Sequence, residues 1–595
     1  MRVTRKTKKV LIRSVVAIAA FLLLLVILNS ILAYFAKPRL VRFLKESVSR
    51  ASDQLYTLDF DGISLNLLQG SADVSEIHLR PDTALYASFR SRGLGPPMLF
   101  TLHSEHLEIR GVSLFRLWRK KRLNIDLIQV EKPTIELLKY VLPEDTASTP
   151  FRFDPYRMIS PALNSVQVTR IRIADGQLTY RKKGLESGSF LHFNGFFLET
   201  DDLYIDSLAG SDTTRSFYTD DLRLSVNGFR IQLADSLYNL HLGTIGFSSK
   251  ETRVNLDSLW LEPRYPEMEF HRIRGSETDH IELKTGRITA TGFDLRRLLR
   301  KEELIAREIL IEDATLIDFL YNFKIDDRPY QQLPHLVLKH AELPIDIRKL
   351  TIRNSSAVYR ERMAGNRETG QVEFHDLNGE ITNISNLPGR IARDSIIHAE
   401  ISTSLMDVGL LEVKFDFHMY RDDGYFTVEG SLGRMPMEAL NPMLEAAARL
   451  KIKRGTLQKL LFSFHGDSTA SRGTMKFYYN NLNVELLGKE DSDSNMKIAS
   501  ALTNLLLLNS NNPPPEGPLR TGLISFTRLK NKSIFNYLWK SLLTGFKSSV
   551  GISAEKESQL RGVAESLKER RERRQTRKEA RQERRAERRA ERSNK

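Results

Sequence analysis

The chain contains no cysteine, which excludes disulfides, thiolate metal sites, a cysteine nucleophile and a lipidated cysteine. It also lacks a Walker loop, a dinucleotide-binding glycine motif and a nucleophile elbow. The thirteen histidines are scattered. His103 and His106 have a spacing that can serve a metal, but they lie in an alternating strand pattern with no third ligand evident, so no metal is assigned. The acidic pairs Asp201 and Asp202, Asp220 and Asp221, and Asp422 and Asp423 sit beside turns, where Asp bonds its own backbone. Neighbours on a strand face opposite ways, so such pairs are poor candidates for concerted acid–base chemistry. The sequence therefore offers no catalytic residues and implies no cofactor, and the expectation is that the protein is not an enzyme.

Acidic residues are missing from the first 13 positions, which carry six Lys or Arg. Residues 556 to 595 carry 16 basic residues against 8 acidic. Of the formal net charge of +15, these two ends account for six and eight, so the body between them is close to neutral. The basic balance therefore belongs to the ends and does not mark a nucleic-acid-binding body. With 595 residues, 41% hydrophobic and 27% charged, the chain has the composition of folded protein.

Long apolar runs are absent except for one. Ser14 to Ala36 has only Ser14, Asn29 and Ser30 as polar members, and about 20 apolar residues span a bilayer as a helix. The run exceeds the apolar core of a secretory signal and offers no small-x-small cleavage pattern. The basic cluster before it places residues 1–13 in the cytoplasm and exports the rest. Residues 37–54, with Leu40, Phe43, Leu44 and Val48 at helical spacing, read as a juxtamembrane helix.

From Leu55 to about Arg528 the pattern is two-residue alternation in short runs, broken by Gly, Asn, Asp or Pro. LYTLDFDGISLNLLQGSADVSEIHLRP at 55–81 returns in degenerate form as LYNLHLGTIGFSSKETRVNLDSLWLEP at 237–263, a shift of 182 residues. Leu114, Leu117, Leu123, Ile128, Val130 and Ile135 are answered by Leu295, Leu298, Leu304, Ile309, Ile311 and Leu316 at a shift of 181. VTRIRIADGQLTYR at 168–181 returns as IRKLTIRNSSAVYR at 347–360, shifted by 179. Three collinear blocks at nearly one offset argue for a tandem duplication, 55–232 and 237–414. Leu222, Leu224 and Val226 alternate, then Gly228 intervenes and Phe229, Ile231 and Leu233 resume on the shifted phase, as at a bulge. The same slip follows Met475, Phe477 and Tyr479. So long a one-sided sheet with few helices must close on itself or curl into an apolar groove.

The basic start, the single anchor, LDFDGISLNLLQGSADVSEIHLRPD, LNIDLIQVEKPTIELL, and GTLQKLLFSFHGDSTASRGTMKFYYNNLNVELL at 455–487 together resemble the AsmA-like family of anchored periplasmic proteins. The resemblance covers about residues 8 to 550. It implies a bridge-like lipid-transfer architecture, with a β groove that carries phospholipids between inner and outer membrane and supports outer-membrane biogenesis. It supplies no catalytic residues.

At the C-terminal end, Ile534, Phe535, Leu538, Trp539, Leu542 and Phe546 form a broad helical face with Lys532, Lys540 and Lys547 along it. Such a helix either lies at a membrane interface or caps the groove. In the tail, Glu579, Glu583, Glu587 and Glu591 recur every four residues, as do Arg577, Arg581, Arg585 and Arg589. Like charges then meet on one helix face. Anionic lipid headgroups, lipopolysaccharide phosphates of the outer membrane, or an envelope partner protein would relieve the arginine row.

The expected architecture is mainly β: one N-terminal transmembrane helix, then an elongated twisted antiparallel β groove built from a tandem duplication, with few short helices and a basic C-terminal helix. Its segments are 1–13 cytoplasmic, 14–36 anchor, 37–54 juxtamembrane helix, 55–232 and 237–414 repeat units, 415–530 C-terminal β module, 531–552 amphipathic helix and 553–595 basic tail. Groove candidates are Leu222, Leu224, Val226, Phe229, Ile231, Leu233, Phe415, Phe417, Met475, Phe477 and Tyr479. The expected setting is the bacterial inner membrane, single-pass, with a periplasmic body, phospholipids as cargo and no nucleic acid. The other reading is a periplasmic scaffold that assists outer-membrane protein assembly through exposed strand edges.

Overall fold

The computed structural model describes residues 29–31, 33–50, 52–92, 96, 98–140, 156, 159–183, 190–209, 215, 218–233, 237–274, 279–322, 330–363, 368–448, 450–486 and 510–551. Among these the protein is mainly β, with short helices between strands. Of the expected anchor, residues 29–31 and 33–36 are described and helical, and the helix continues through 50. Residues 1–28 and the tail with its four-residue arginine row lie outside the described residues. Among those described, no helix is long and apolar enough to cross a membrane. The chain forms two compact units: one holds the residues up to Trp260 together with Arg287–Arg296, and the other holds Leu261–Gly286 and the residues from Arg297 onward.

In the first unit the two-residue period of the sequence becomes two faces. Ile63 pairs with Val74, Val74 with Leu107 and Leu107 with Val130. The same line continues through Ile173, Leu198, Leu224, Phe247, Val254 and Ala290. One position along each strand, on the opposite face, the line reads Ser64, Asp73, Glu108, Gln129, Arg172, Glu199, Arg223, Ser248, Arg253 and Thr291. A one-residue slip in any pair would exchange the two faces, so the hydrophobic pattern fixes the register.

The expectation of a purely antiparallel sheet is corrected. Arg122–Glu131 and Thr134–Tyr140 both pair parallel with Ser165–Lys183. They are two halves of one line, because both also pair antiparallel with Met98–Arg110. Pro133 sits at the break, where it has no N–H to give to a ladder. Parallel neighbours start at the same end, and Ser165, the first residue of its strand, accordingly pairs with Arg122, the first residue of its neighbour. In the second unit the same connectivity recurs: Leu304–Glu312 and Thr315–Asn322 pair parallel with Ile345–Met363. The short helix Leu114–Lys120 likewise has a counterpart in Leu295–Lys301, and Thr83–Ser91 in Glu267–Arg274.

Cover differs between the units. In the first, the helix over 33–50 packs Leu40 and Val41 near Ile63, Val74 and Ile77. Leu107, Val130, Ile173, Leu198, Leu224, Phe247, Val254 and Ala290 remain half-buried. In the second, the line Ile309, Leu350, Ile381, Ala399, Phe415, Val428, Phe464, Gly473 and Ile524 runs into a large closed core. Helix Asn441–Ala448 covers part of it, held to the next strand by Asn441, whose amide accepts from Ile452 N at 2.8 Å and donates to Ile452 O at 2.9 Å. Helix Ile534–Ser549 covers the rest.

That last helix approaches closely because its inward stripe is Tyr537, Ser541, Gly545 and Ser549, all buried. Ser541 Oγ and Ser471 Oγ are 2.7 Å apart. The helix also completes the sheet edge: Leu523 N donates to Ser548 Oγ at 3.0 Å and Ser525 N to Thr544 Oγ1 at 3.1 Å. These are backbone donors of strand Thr521–Thr527, and with hydroxyls on them the edge is less available to another strand. A Cβ on Gly545 would lie 2.7 Å from Ile524 Cγ1 and 3.1 Å from Met475 Cε. Gly545→Leu is therefore expected to lift the helix and cost about 1–3 kcal/mol, the usual range for overpacking. Amide exchange should rise at Leu523 and Ser525; unchanged protection there would contradict the packing.

Candidate functional site

The described residues contain one feature extensive enough to act on a ligand, the half-buried apolar line of the first unit. Each member stands on its own strand, and the strands are about 4.8 Å apart. Seven steps from Leu107 to Ala290 therefore give a half-buried line of roughly 35 Å across the strands. The reverse face is charged and internally paired. Arg172 Nη2 meets Glu199 Oε2 at 3.0 Å, and Arg223 reaches Glu199 and, at 2.8 Å, Asp201. Burial raises the Glu199 pKa, but its hydrogen bonds to Arg172 and Arg223 outweigh that and hold the carboxyl below its ordinary value. Ion pairing thus marks the wet side, and the other side of the same strands is apolar.

Of the groove candidates, Leu222, Leu224 and Val226 stand on this apolar face opposite Thr200, Leu198 and Phe196. Phe229 and Ile231 belong to the next strand, opposite Leu242 and Leu240, after the break at Asn227 and Gly228. The Phe229 ring meets Phe193 edge-on at 4.5 Å. Leu233 N donates to Tyr238 O at 3.0 Å and closes that hairpin. All six are half-buried. Phe415 and Phe417 are stacked at 5.7 Å and half-buried against the core of the second unit.

Met475, Phe477 and Tyr479 are 2%, 3% and 0% exposed. The Phe477 ring lies 5.0 Å from Phe546. They belong to the packed core under helix Ile534–Ser549. Of the six residues offered for a membrane interface, Ile534, Leu538, Trp539, Leu542 and Phe546 pack against that core, while Phe535 is 51% exposed. In the structure this helix caps the core.

Sequence reading missed Leu107, Val130, Ile173, Leu198, Phe247 and Val254 as a single line. The signal that could have found them was the alternation itself, since each occupies an apolar position in its run. The histidine pair is separated: His106 faces Asp73 at 3.8 Å, whereas His103 stacks on His78 at 4.5 Å. Ligand atoms of Glu76, His78 and His103 lie within 4.8 Å of one another. Arg80 Nη2 stands 3.4 Å from His78 Nδ1 and sets a positive charge beside the group. Among the acidic pairs, Asp221 accepts from Ser248 Oγ, Ser249 Oγ and Lys250 N, an anchoring task for a turn.

His335 is a buried titratable group in the second unit, 5.1 Å from the Phe417 ring. Burial pushes its pKa down from 6.5 to about 4. The neutral ring is favoured in the fold, while the unfolded chain takes up a proton near its ordinary pKa of about 6.5. Stability is therefore complete above about pH 6.5 and is lost as pH falls toward 4, by roughly 3 kcal/mol at the limit. The denaturation midpoint of the full chain should fall over that window, and His335→Leu should flatten the fall; an equal slope in both proteins would contradict it.

A comparison with protein-family models finds no match for this chain, and a comparison with curated proteins finds none either.

Proposed function

We propose that the protein is a membrane-anchored carrier of phospholipids, in which acyl chains lie along the apolar line of the first unit while headgroups stay in water. The observation that carries this reading is the half-buried line from Leu107 to Ala290, set on the back of a charged, ion-paired face. An apolar row of this kind is what a groove would need, and the resemblance to AsmA-like proteins implies such a groove, built from a tandem duplication. The setting that goes with it is the bacterial inner membrane, with the N-terminus cytoplasmic, the body periplasmic and the cargo passing toward the outer membrane.

The mechanism needs no cofactor. Each methylene moved out of water is worth about 0.8 kcal/mol, so roughly ten of them on the line gain at most about 8 kcal/mol, and less where one side stays wet. Members of the line are alike, so the gain is spread evenly and a chain can advance from strand to strand without leaving a deep well. The scaffold reading needs open strand edges; it is weakened where the edge strand Thr521–Thr527 gives Leu523 N and Ser525 N to helix hydroxyls.

Leu224→Asp and Phe247→Asp put charge on the line at half-buried positions. Passage of labelled phospholipid between donor and acceptor vesicles by the full chain should drop at least tenfold, with far-ultraviolet circular dichroism unchanged. An unfolded C-terminal core is expected only for Met475→Asp. Undiminished passage in folded Leu224→Asp and Phe247→Asp variants would rule out this path.

A further inference from the structure

The short helix Leu114–Lys120 carries exposure that packing does not explain. Trp118 is 85% exposed and Phe115 65% exposed, and only Leu117 is even half-buried. Around them stand Arg116, Arg119, Lys120, Lys121 and Arg122, none of them ion-paired among the described residues. Lys121 ends the helix in a left-handed conformation at φ 52° and turns the chain back. Arg119, Lys120, Lys121, Arg122 and Asn164 then line an open pocket of about 590 Å³. Asn164 is fixed there by bonds from its N to Lys121 O and from its Nδ2 to Lys120 O.

Position gives a second, independent observation. Val112 N donates to Gly70 O at 2.8 Å, which ties the start of this helix to the turn at 67–70. In the same turn Leu67 N and Leu68 N donate to Asn29 Oδ1 at 2.8 and 3.2 Å. Asn29 belongs to the apolar stretch read as the anchor. Leu68, Ile31, Tyr34 and Phe35 are also exposed. Aromatic residues beside basic ones, at the place where a chain leaves a bilayer, are the composition of a membrane–water interface.

We propose that Phe115 and Trp118 insert into the bilayer that holds the anchor, and that the pocket of Arg119, Lys120, Lys121, Arg122 and Asn164 binds the phosphate of an anionic phospholipid headgroup. This rests on the carrier reading and deepens it, because it places the lipid-loading end of the first unit on the membrane. Strand Arg122–Glu131, which supplies Val130 to the apolar line, starts at this pocket. In the second copy Arg296 and Leu299 occupy the places of Phe115 and Trp118, and Arg296 donates to Arg215 O within the protein. The exposed aromatic pair is thus particular to the first copy. The charge of the patch suits an anionic lipid surface, since five cations without acid partners gain from one.

The test uses the full chain in vesicles of phosphatidylcholine and phosphatidylglycerol, the latter brominated on its acyl chains. The chain has three tryptophans, so the Trp118 component is the difference between wild type and Trp118→Phe. Bromolipid is expected to quench that component, with loss of quenching in the Lys120→Glu/Lys121→Glu variant. Equal fractional quenching in wild type and Trp118→Phe would overturn the insertion, as would protection of Trp118 by an acidic polypeptide in place of lipid. Quenching that persists in the double variant would overturn the headgroup pocket. Phospholipid passage is read on the same samples. Passage with Trp118 unquenched overturns this contact alone, and a quenched Trp118 without passage supports the contact while the carrier reading fails.

Discussion

Cross-strand register is the constraint on which the rest depends. Ten apolar side chains from Ile63 to Ala290 fall on one line only because every intervening pairing keeps the same phase. The devices that shift phase lie between the paired stretches. Pro133 breaks one long line, Gly176 accepts the Phe196 ring where the register shifts, and Asn227 with Gly228 separates two runs. A one-residue slip in the pairings of these strands would place Arg172, Glu199 and Arg223 on the apolar side, where three charges would lose their partners and water.

The same pattern has two outcomes, set by what covers it. In the second unit, helices Asn441–Ala448 and Ile534–Ser549 close over Val428, Phe464, Met475 and Ile524 and make a core. In the first unit, among the described residues, cover is limited to small clusters, one of them under Leu40 and Val41, and the line beyond Ile63 and Val74 stays half-open. A closed core contributes stability, whereas an open line keeps apolar surface available for a ligand. The carrier proposal assigns these two tasks to the two outcomes.

Much of this was legible in the residues. Alternation around Leu222, Leu224 and Val226 gave strands, and the nearly constant offset gave two sets of elements that recur with the same pairings. The parallel pairing was not legible, because it depends on the end of the sheet at which Ser165 re-enters and not on any local pattern. Nor was the fate of Met475, Phe477 and Tyr479. Their cover comes from the stripe Tyr537, Ser541, Gly545 and Ser549, whose small polar members do not read as an apolar face. The exposure of Trp118 was not legible either, because a tryptophan in a Leu- and Arg-rich turn can as well be packed, and only the fold shows it standing in solvent.

The most direct measurement is mass spectrometry of phospholipid retained by the full chain after purification, with wild type compared with the Leu224→Asp/Phe247→Asp double variant. The account predicts bound phospholipid in wild type and its loss in the double variant, with the strands intact in both. A wild-type protein that retains no lipid, or a double variant that retains as much, would contradict it.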